Sequence, residues 1–316
     1  MAVARHQKAP DGIRLSHLRC RQPLMNTYDI AVLISTYQRP AHLERVLASV
    51  AAQRSVAGRF EVVVSDDGSI DETPQIVRQF ASSVDFPVRF TTHAHEGFRL
   101  AKCRNDGVRA SNADYLVFLD GDCLMPPDFL ATHQQHKKRG IARAGFCCWL
   151  DRETSERITI DNILSGDFIN LIPAESQKWI RQMHWKSRFY NCIRHASKPK
   201  LFGGNVGIYR EDYERVNGYD ENFRGWGCED DDLRLRLRQA AVGIRSIAHR
   251  TQTYHLWHPP TPTKPEIWKQ GENIAYFMRA NRSVQCESGL VARTAPSSTR
   301  SILQSPTYDQ NAHSMT

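Results

Sequence analysis

The sequence predicts an α/β protein with a Rossmann-like, mainly parallel sheet flanked by helices. Three observations carry that prediction. Short unbroken apolar runs at Asp29–Ser35, Phe60–Ser65 and Tyr115–Leu119 suit strands covered on both faces. Stretches with helical spacing lie between them, as in Leu43, Val46, Leu47 and Val50. Each strand run ends in a polar cluster, Thr36–Arg39, Asp66–Ser69 and Asp120–Asp122, and open α/β sheets place ligands at such carboxyl ends.

Composition sets the outer bounds. With 316 residues, 41% hydrophobic and 24% charged, the chain has the makeup of an ordinary globular protein of one large or two small domains. No apolar run approaches the roughly 18 residues that span a bilayer. Residues 1–26 are basic, polar and aperiodic, and are expected to form a flexible lead-in with no secretory signal, which makes a cytoplasmic setting the expectation. The eight cysteines show no Cys-x-x-Cys spacing and read as small buried apolar residues rather than a zinc site. A formal charge of +8 draws anions without choosing among them. Its densest expression is the acid-free stretch Ser176–Arg210, where Lys178, Arg181, Lys186 and Arg188 interleave with Trp179, Trp185 and Tyr190. That stretch suits an anionic glycan or an anionic membrane surface, and equally a solvated helix face.

Pro40 is placed to open the first helix, and Ser69 or Asp71 to cap the second, which carries Ile76, Val77 and Phe80. Val88–Thr92 reads as a third strand and Gly97–Ala110 as a helix before the Tyr115 strand. The alternation stops after about residue 140. Ala142–Trp149 is expected as one more strand, and residues 151–200 as irregular except for a helical pattern through Trp179, Met183, Tyr190 and Ile193. Leu201–Tyr209 reads as an extended segment whose glycines allow a ligand close to the backbone. Asp230–Ala241 reads as a helix stopped by Gly243, and Thr251–Pro260 as a segment turning into a loop. Beyond Cys286 the chain is rich in Ser, Thr, Arg and Gln, and residues 286–316 are expected as a disordered tail.

Four constellations have chemistry in reach. Asp120 and Asp122, one residue apart beside Gly121, offer hard oxygen ligands suited to Mg²⁺ or Mn²⁺ on a diphosphate, although a lone Asp-x-Asp is more often an acidic turn. Asp66 and Asp67 can accept from a base N–H or a ribose hydroxyl, or cap a helix. Arg99, Lys102 and Arg104 precede the Asp-x-Asp strand and can neutralise phosphate or form a solvated face. Trp226 followed by Glu229-Asp-Asp-Asp232 offers a platform for a sugar ring and a carboxylate base, with more acid than helix capping needs. His255 and His258, by themselves more often structural, can complete a metal shell.

On these residues Asp29–Asp122 resembles the nucleotide-binding half of GT-A, family-2-type glycosyltransferases. Gly203–Asn205 through Gly225–Asp232 is similar to the acceptor segment of β-1,4-galactosyltransferases, polypeptide GalNAc-transferases and chondroitin polymerases, with Cys228 where the galactosyltransferase pattern has glycine. The resemblance implies a GT-A domain over residues 27–285, with a nucleotide-sugar half at 27–140 and an acceptor half at 141–285. It implies that Thr36, Tyr37, Arg39, Asp66, Asp67, Arg99, Lys102 and Asp120 bind the nucleotide sugar. Asp122, with Asp120 and His258 or His255, would hold Mn²⁺ (or Mg²⁺). Gly204, Asn205, Trp226 and Glu229 would bind acceptor, and Asp230 would be the catalytic base. The expected reaction is inverting transfer from a UDP-sugar to a glycan or lipid-linked saccharide acceptor, in bacterial surface polysaccharide synthesis and possible contact with an anionic membrane; no nucleic-acid partner is expected. A sugar-nucleotide nucleotidyltransferase is the enzymatic alternative, but it calls for a Gly-rich phosphate loop after the first strand, which Thr36–Pro40 is not. A non-catalytic carbohydrate binder is the other, and it has no need of the Glu229–Asp232 acids.

Overall fold

The computed structural model describes residues 28–193, 195, 198–260, 271, 273–291 and 300–303. β1 (Tyr28–Thr36) is the middle of the sheet, with Ile30 to Ile34 buried on both faces. α1 (Pro40–Ala51) starts at Pro40, where the missing N–H has no helical partner to lose, and buries Leu43, Val46, Leu47 and Val50 as their spacing predicts. β2 (Phe60–Asp66), α2 (Thr73–Ser83), β3 (Val88–Thr92), α3 (Leu100–Ala110) and β4 (Ala113–Asp120) continue the alternation. Asp71, not Ser69, serves the start of α2: its Oδ1 accepts the Thr73 N–H at 3.0 Å. α3 begins three residues later than the helix expected from Gly97, which itself takes φ +82°.

β1 pairs in parallel with β2 on one side and β4 on the other, and β2 pairs in parallel with β3. The strand order therefore reverses between β1 and β4, the kind of switch point where α/β sheets bind ligands. Ser35 is level with both Ser65 and Asp120, so the three polar clusters leave the sheet along one edge. Alternate residues of β1 face different cores. Ile30, Val32 and Ile34 pack with the apolar faces of α1 and α2, while Ala31 and Leu33 pack with α3 residues on the other side. Each fully buried Val, Leu or Ile side chain among these contributes about 1.5–3 kcal/mol.

β5 (Cys123–Leu124) and α4 (Phe129–His136) lead to β6 (Ile141–Ala144) and β7 (Cys147–Trp149). The single strand expected over Ala142–Trp149 is thus two strands in different sheets. The break falls at Gly145, where the Asn205 side chain occupies the space a Cβ would need. Residues 151–172 are not irregular. They hold α5 (Arg152–Arg157), α6 (Ile160–Ser165) and a 3-10 turn, with Asp151 accepting the Thr154 N–H and Thr159 forming a capping box with Asn162. Six-residue helices are too short to show a period, and only their caps mark them.

α7 (Ala174–Ile193) follows, then β8 (Val206–Tyr209), α8 (Arg210–Arg215), α9 (Glu229–Gln239), β9 (Gly243–Ser246), β10 (Thr253–His255) and α10 (Ile274–Phe277). Gly243 does not stop α9: Ala241 takes the left-handed φ of +59° and Gly243 opens β9. β8 runs antiparallel to β4 and β6, and β6 pairs in parallel with β9. β11 (Arg300–Leu303) runs antiparallel to β3. Among the described residues the large sheet therefore has the order β11-β3-β2-β1-β4-β8-β6-β9, beside a small sheet β5-β10-β7. Past Cys286, Leu290 donates its N–H to Asn217 O at 2.9 Å, and Arg109 donates to the carbonyls of Gly289 and Leu290. The lead-in expected at 1–26, and residues 292–299 and 304–316 of the expected tail, lie outside the described residues.

Candidate active site

The β2 edge holds the first pair of acids, which do different work. Asp66 accepts from the N–H groups of Gly68 and Ser69, the Ser69 hydroxyl and the Thr92 hydroxyl at 2.5–3.2 Å. Its lone pairs are spent on building the turn. Asp67 accepts from His93 Nε2 at 2.8 Å and from the Arg99 N–H at 3.1 Å, and lies 3% exposed at the strand end. His93 in turn reaches Asp106 with Nδ1 at 3.0 Å, and this pair of carboxylates raises the imidazole against the pull of burial. Above them Tyr37 stacks on His95 with ring centroids 4.2 Å apart. The Thr36 carbonyl accepts the Asp67 N–H at 3.0 Å, while the Thr36 hydroxyl is buried without a partner.

The second cluster surrounds Asp122. Its Oδ2 accepts from Arg39 Nη1 at 2.8 Å and faces His258 Nε2 at 3.2 Å, and its Oδ1 faces His255 Nε2 at 3.4 Å. Burial disfavours the charge on Asp122, but the contact with His258 and the charges of His255 and Arg39 outweigh it and hold the carboxyl well below its usual range. The ligand atoms of Asp122, His255 and His258 lie within 4.8 Å of one another, as do those of Asp120, Asp122 and Cys123. His258 Nδ1 lies 2.6 Å from Pro259 O; a carbonyl only accepts, so Nδ1 is the donor there and Nε2 is the ring nitrogen turned to Asp122. Carboxylate oxygen and imidazole nitrogen converging this way fit Mn²⁺ or a similar divalent ion. Arg39, expected against the nucleotide, here sits on the metal side.

Between the clusters stands Arg104 on α3, the one of the three basic candidates Arg99, Lys102 and Arg104 that reaches the Asp-x-Asp motif. Its Nη2 donates to Asp120 Oδ1 at 3.1 Å, and its Nη1 donates to Asp230 Oδ1 at 3.1 Å and to Glu229 Oε1 at 3.4 Å. The guanidinium lies 5.0 Å from the Tyr219 ring centroid and the residue is 2% exposed. Burial opposes its charge, and Tyr219, Asp230, Asp120 and Glu229 more than offset that. Arg99 and Lys102 do not share this position. They pair with Glu96 and Asp106, each at 2.6 Å, so their charge is already engaged. Two of the glycines expected to admit a ligand admit neighbouring side chains instead. A Cβ on Gly203 would run into the Arg104 guanidinium, and one on Gly204 would meet Asp120, Cys147 and Cys123.

The acid run is delivered by a tight loop. Gly225, Gly227 and Cys228 take φ +76°, +93° and +75°, and Gly225 donates its N–H to Phe98 O at 2.8 Å. Cys228 holds the left-handed conformation without being glycine, at a cost of roughly 1–2 kcal/mol. The four acids then divide. Glu229 and Asp230 turn to Arg104, Asp231 accepts from Arg234 and Lys200, and Asp232 is fully buried against Arg236, Arg279 and Arg282. Asp230 also accepts from the Tyr219 hydroxyl at 2.8 Å and the Gly203 N–H at 2.9 Å. Burial and the neighbouring Asp230 push Glu229 up to about 7 against the pull of Arg104. Burial likewise raises Asp120, with Arg104 opposing. Trp226 is half-buried on the loop. Asn205, expected at the acceptor, is 0% exposed and contacts His133 and Phe146 O, because its side chain fills the gap at Gly145.

A switch-point sheet with an Asp-x-Asp edge and an acidic helix start opposite it is the layout of the GT-A glycosyltransferases. Residues 31–198 match glycosyl transferase family 2 and residues 181–259 match the N-terminal domain of galactosyltransferase; the chain belongs to glycosyl transferase family 2. It is 30% identical over 227 residues to validoxylamine A glucosyltransferase of Streptomyces hygroscopicus subsp. jinggangensis (strain 5008), covering 67% of this chain and 52% of the relative. It is 27% identical over 280 residues to chondroitin synthase of Escherichia coli, covering 81% and 40%. The chain thus spans about half the length of the curated relatives it matches. Its fold is like that of GalNAc-T7 solved with UDP, GalNAc and Mn²⁺, with a TM-score of 0.52 at 15% identity over 74% of this chain and 45% of the other.

Proposed function

We propose that the protein transfers a sugar from a UDP-sugar to a hydroxyl of a glycan or lipid-linked saccharide, with inversion at the anomeric carbon, in surface polysaccharide assembly. The observation that carries this is the bridge from Asp120 through Arg104 to Glu229 and Asp230, which sets a proton acceptor beside the carboxylates of the diphosphate site. Asp122, His255 and His258 would hold the divalent ion, which when bound neutralises charge on the departing diphosphate. Asp67, which accepts from His93 and Arg99, has lone pairs left and could accept the imide N–H of uracil.

In this reading Asp230 takes the acceptor proton as the acceptor oxygen attacks opposite the leaving group, and Trp226 offers a face to the acceptor ring. A single acceptor-side base and one in-line displacement give inversion, whereas a hydrolase places carboxylates on both sides of the bond. One observation favours a second assignment of the base. Asp230 already takes three donors, while Glu229 has one long contact with Arg104 and is raised to about 7. The test is a panel of UDP- and GDP-sugars with Mn²⁺, read as nucleoside diphosphate release with and without acceptor oligosaccharides. Release from no sugar nucleotide under any acceptor would defeat the proposal.

A further inference from the structure

α7 changes character along its length. Its first half packs Ile180 and Met183 into the core and Trp179 against Phe146. Its second half is built inside out, with a small and polar inner face: Ser187 donates to Ser246 Oγ at 2.6 Å, and Asn191 exchanges two hydrogen bonds of 2.8 Å with the Ser246 backbone. These contacts fasten the helix to β9, the strand at the acceptor-side end of the large sheet. Its outer face carries the large apolar groups instead, with Trp185 73%, Phe189 58% and Ile193 47% exposed. A globular surface helix has the opposite pattern. At about 100° per residue, Trp185, Phe189, Cys192 and Ile193 share one stripe, with Arg181 and Arg188 along one side of it and Lys186 along the other. Glu175 in the first turn is the single acid of the helix.

We infer that this face of α7 is a docking surface for an anionic phospholipid bilayer, on which the helix lies flat with its aromatic stripe in the headgroup region. Charge decides among occupants. A second copy meeting this face across a twofold axis would oppose Arg181, Lys186 and Arg188 to themselves. A polyanionic glycan would satisfy the cations but leave the Phe189 and Ile193 side chains without an apolar partner. A bilayer supplies both, anionic headgroups for the flanks and acyl chain for the stripe. No helix among the described residues is long and apolar enough to cross a membrane, so the contact is peripheral. The inference stands apart from the transfer chemistry.

The full-length chain is sedimented with vesicles of phosphatidylcholine alone and of phosphatidylcholine with phosphatidylglycerol. Binding is expected to the anionic vesicles only and to weaken as salt rises from about 0.1 to 0.5 M. Arg181→Gln/Lys186→Gln/Arg188→Gln should weaken it by about fivefold per residue, roughly 100-fold together. Trp185→Ser/Phe189→Ser should abolish it, with circular dichroism and donor hydrolysis unchanged because both side chains are exposed. No pelleting with anionic vesicles, or equal pelleting of both variants, would overturn the inference. So would a dimer by light scattering that the Trp185→Ser/Phe189→Ser variant loses, or binding to an anionic oligosaccharide without lipid that the glutamine variant loses.

Discussion

Asp120 and Asp230 are joined through one guanidinium, Arg104, which donates Nη2 to the first and Nη1 to the second, each at 3.1 Å. The Asp-x-Asp strand end and the start of α9 are thereby set by one planar group. Lysine has the charge without the fork. Arg104→Lys is therefore expected to cost roughly 100-fold in kcat while leaving metal affinity within about twofold. Arg104→Ala leaves buried carboxylates uncompensated and should destabilise by about 3–5 kcal/mol in denaturant titration. Gly203→Ala, whose Cβ meets the same guanidinium, should reproduce the kcat loss. Normal turnover in Arg104→Lys would show that the bridge only holds the fold.

The two candidate bases separate by pH. If ionised Glu229 accepts the proton, kcat/KM rises with pH to a midpoint at about 7 and Glu229→Gln removes that limb. If Asp230 is the base, Asp230→Asn abolishes transfer with UDP-sugar binding nearly intact by calorimetry, and Glu229→Gln mainly raises the acceptor KM. Glu229 is raised on folding, so its ionisation works against stability as pH passes from its unfolded value toward 7. Glu229→Gln should accordingly raise the melting temperature at pH 8 and not at pH 4.

The imidazoles can be ranked by metal affinity. His258→Ala is expected to weaken Mn²⁺ binding about 10- to 100-fold, measured by the paramagnetic resonance signal of free Mn²⁺ with UDP present. His255→Ala should have a comparable effect, since both Nε2 atoms face Asp122. Unchanged Mn²⁺ affinity in both variants would remove the histidines from the ligand set.

Asp106 anchors the β2 edge through His93, and meets His93, Lys102 and Arg109 at 2.6–3.0 Å. Burial raises its carboxyl, but His93 and Lys102 outweigh that and hold it at about 2. A depressed carboxylate stabilises above its unfolded value and loses that contribution as pH falls through the folded one. Asp106→Asn should cost about 2 kcal/mol at pH 7, and the gap to the parent should close between about pH 4 and 2. A constant gap across that range would assign the loss to packing.

Much of the candidate site is legible as motifs. Asp120, Glu229 and Asp230 meet at Arg104, His255 and His258 face Asp122, and Asp67 stands at the neighbouring strand end, because strand ends and helix starts are marked by local residue pattern. Arg104 carried a signal that was easy to pass over: it lies on the same helical stripe as Leu100 and Val108, where a solvated arginine would not sit. His93 and Tyr219 had no motif at all. Asn205 was misplaced because a short Gly-Gly-Asn run does not say which side of the turn the amide will face.

The sequence by itself determined the alternation of strands and helices through residue 124 and the order of the acidic clusters, since both follow from spacing between near neighbours. Tertiary structure decided what those acids touch. Ser35 level with Ser65 and Asp120 brings three strand ends to one edge, and the left-handed turns at Gly225, Gly227 and Cys228 aim Glu229 and Asp230 at Arg104. Contacts such as Arg39 to Asp122 or Arg104 to Asp230 join residues far apart in the chain. They depend on sheet register and loop direction, which no local period encodes.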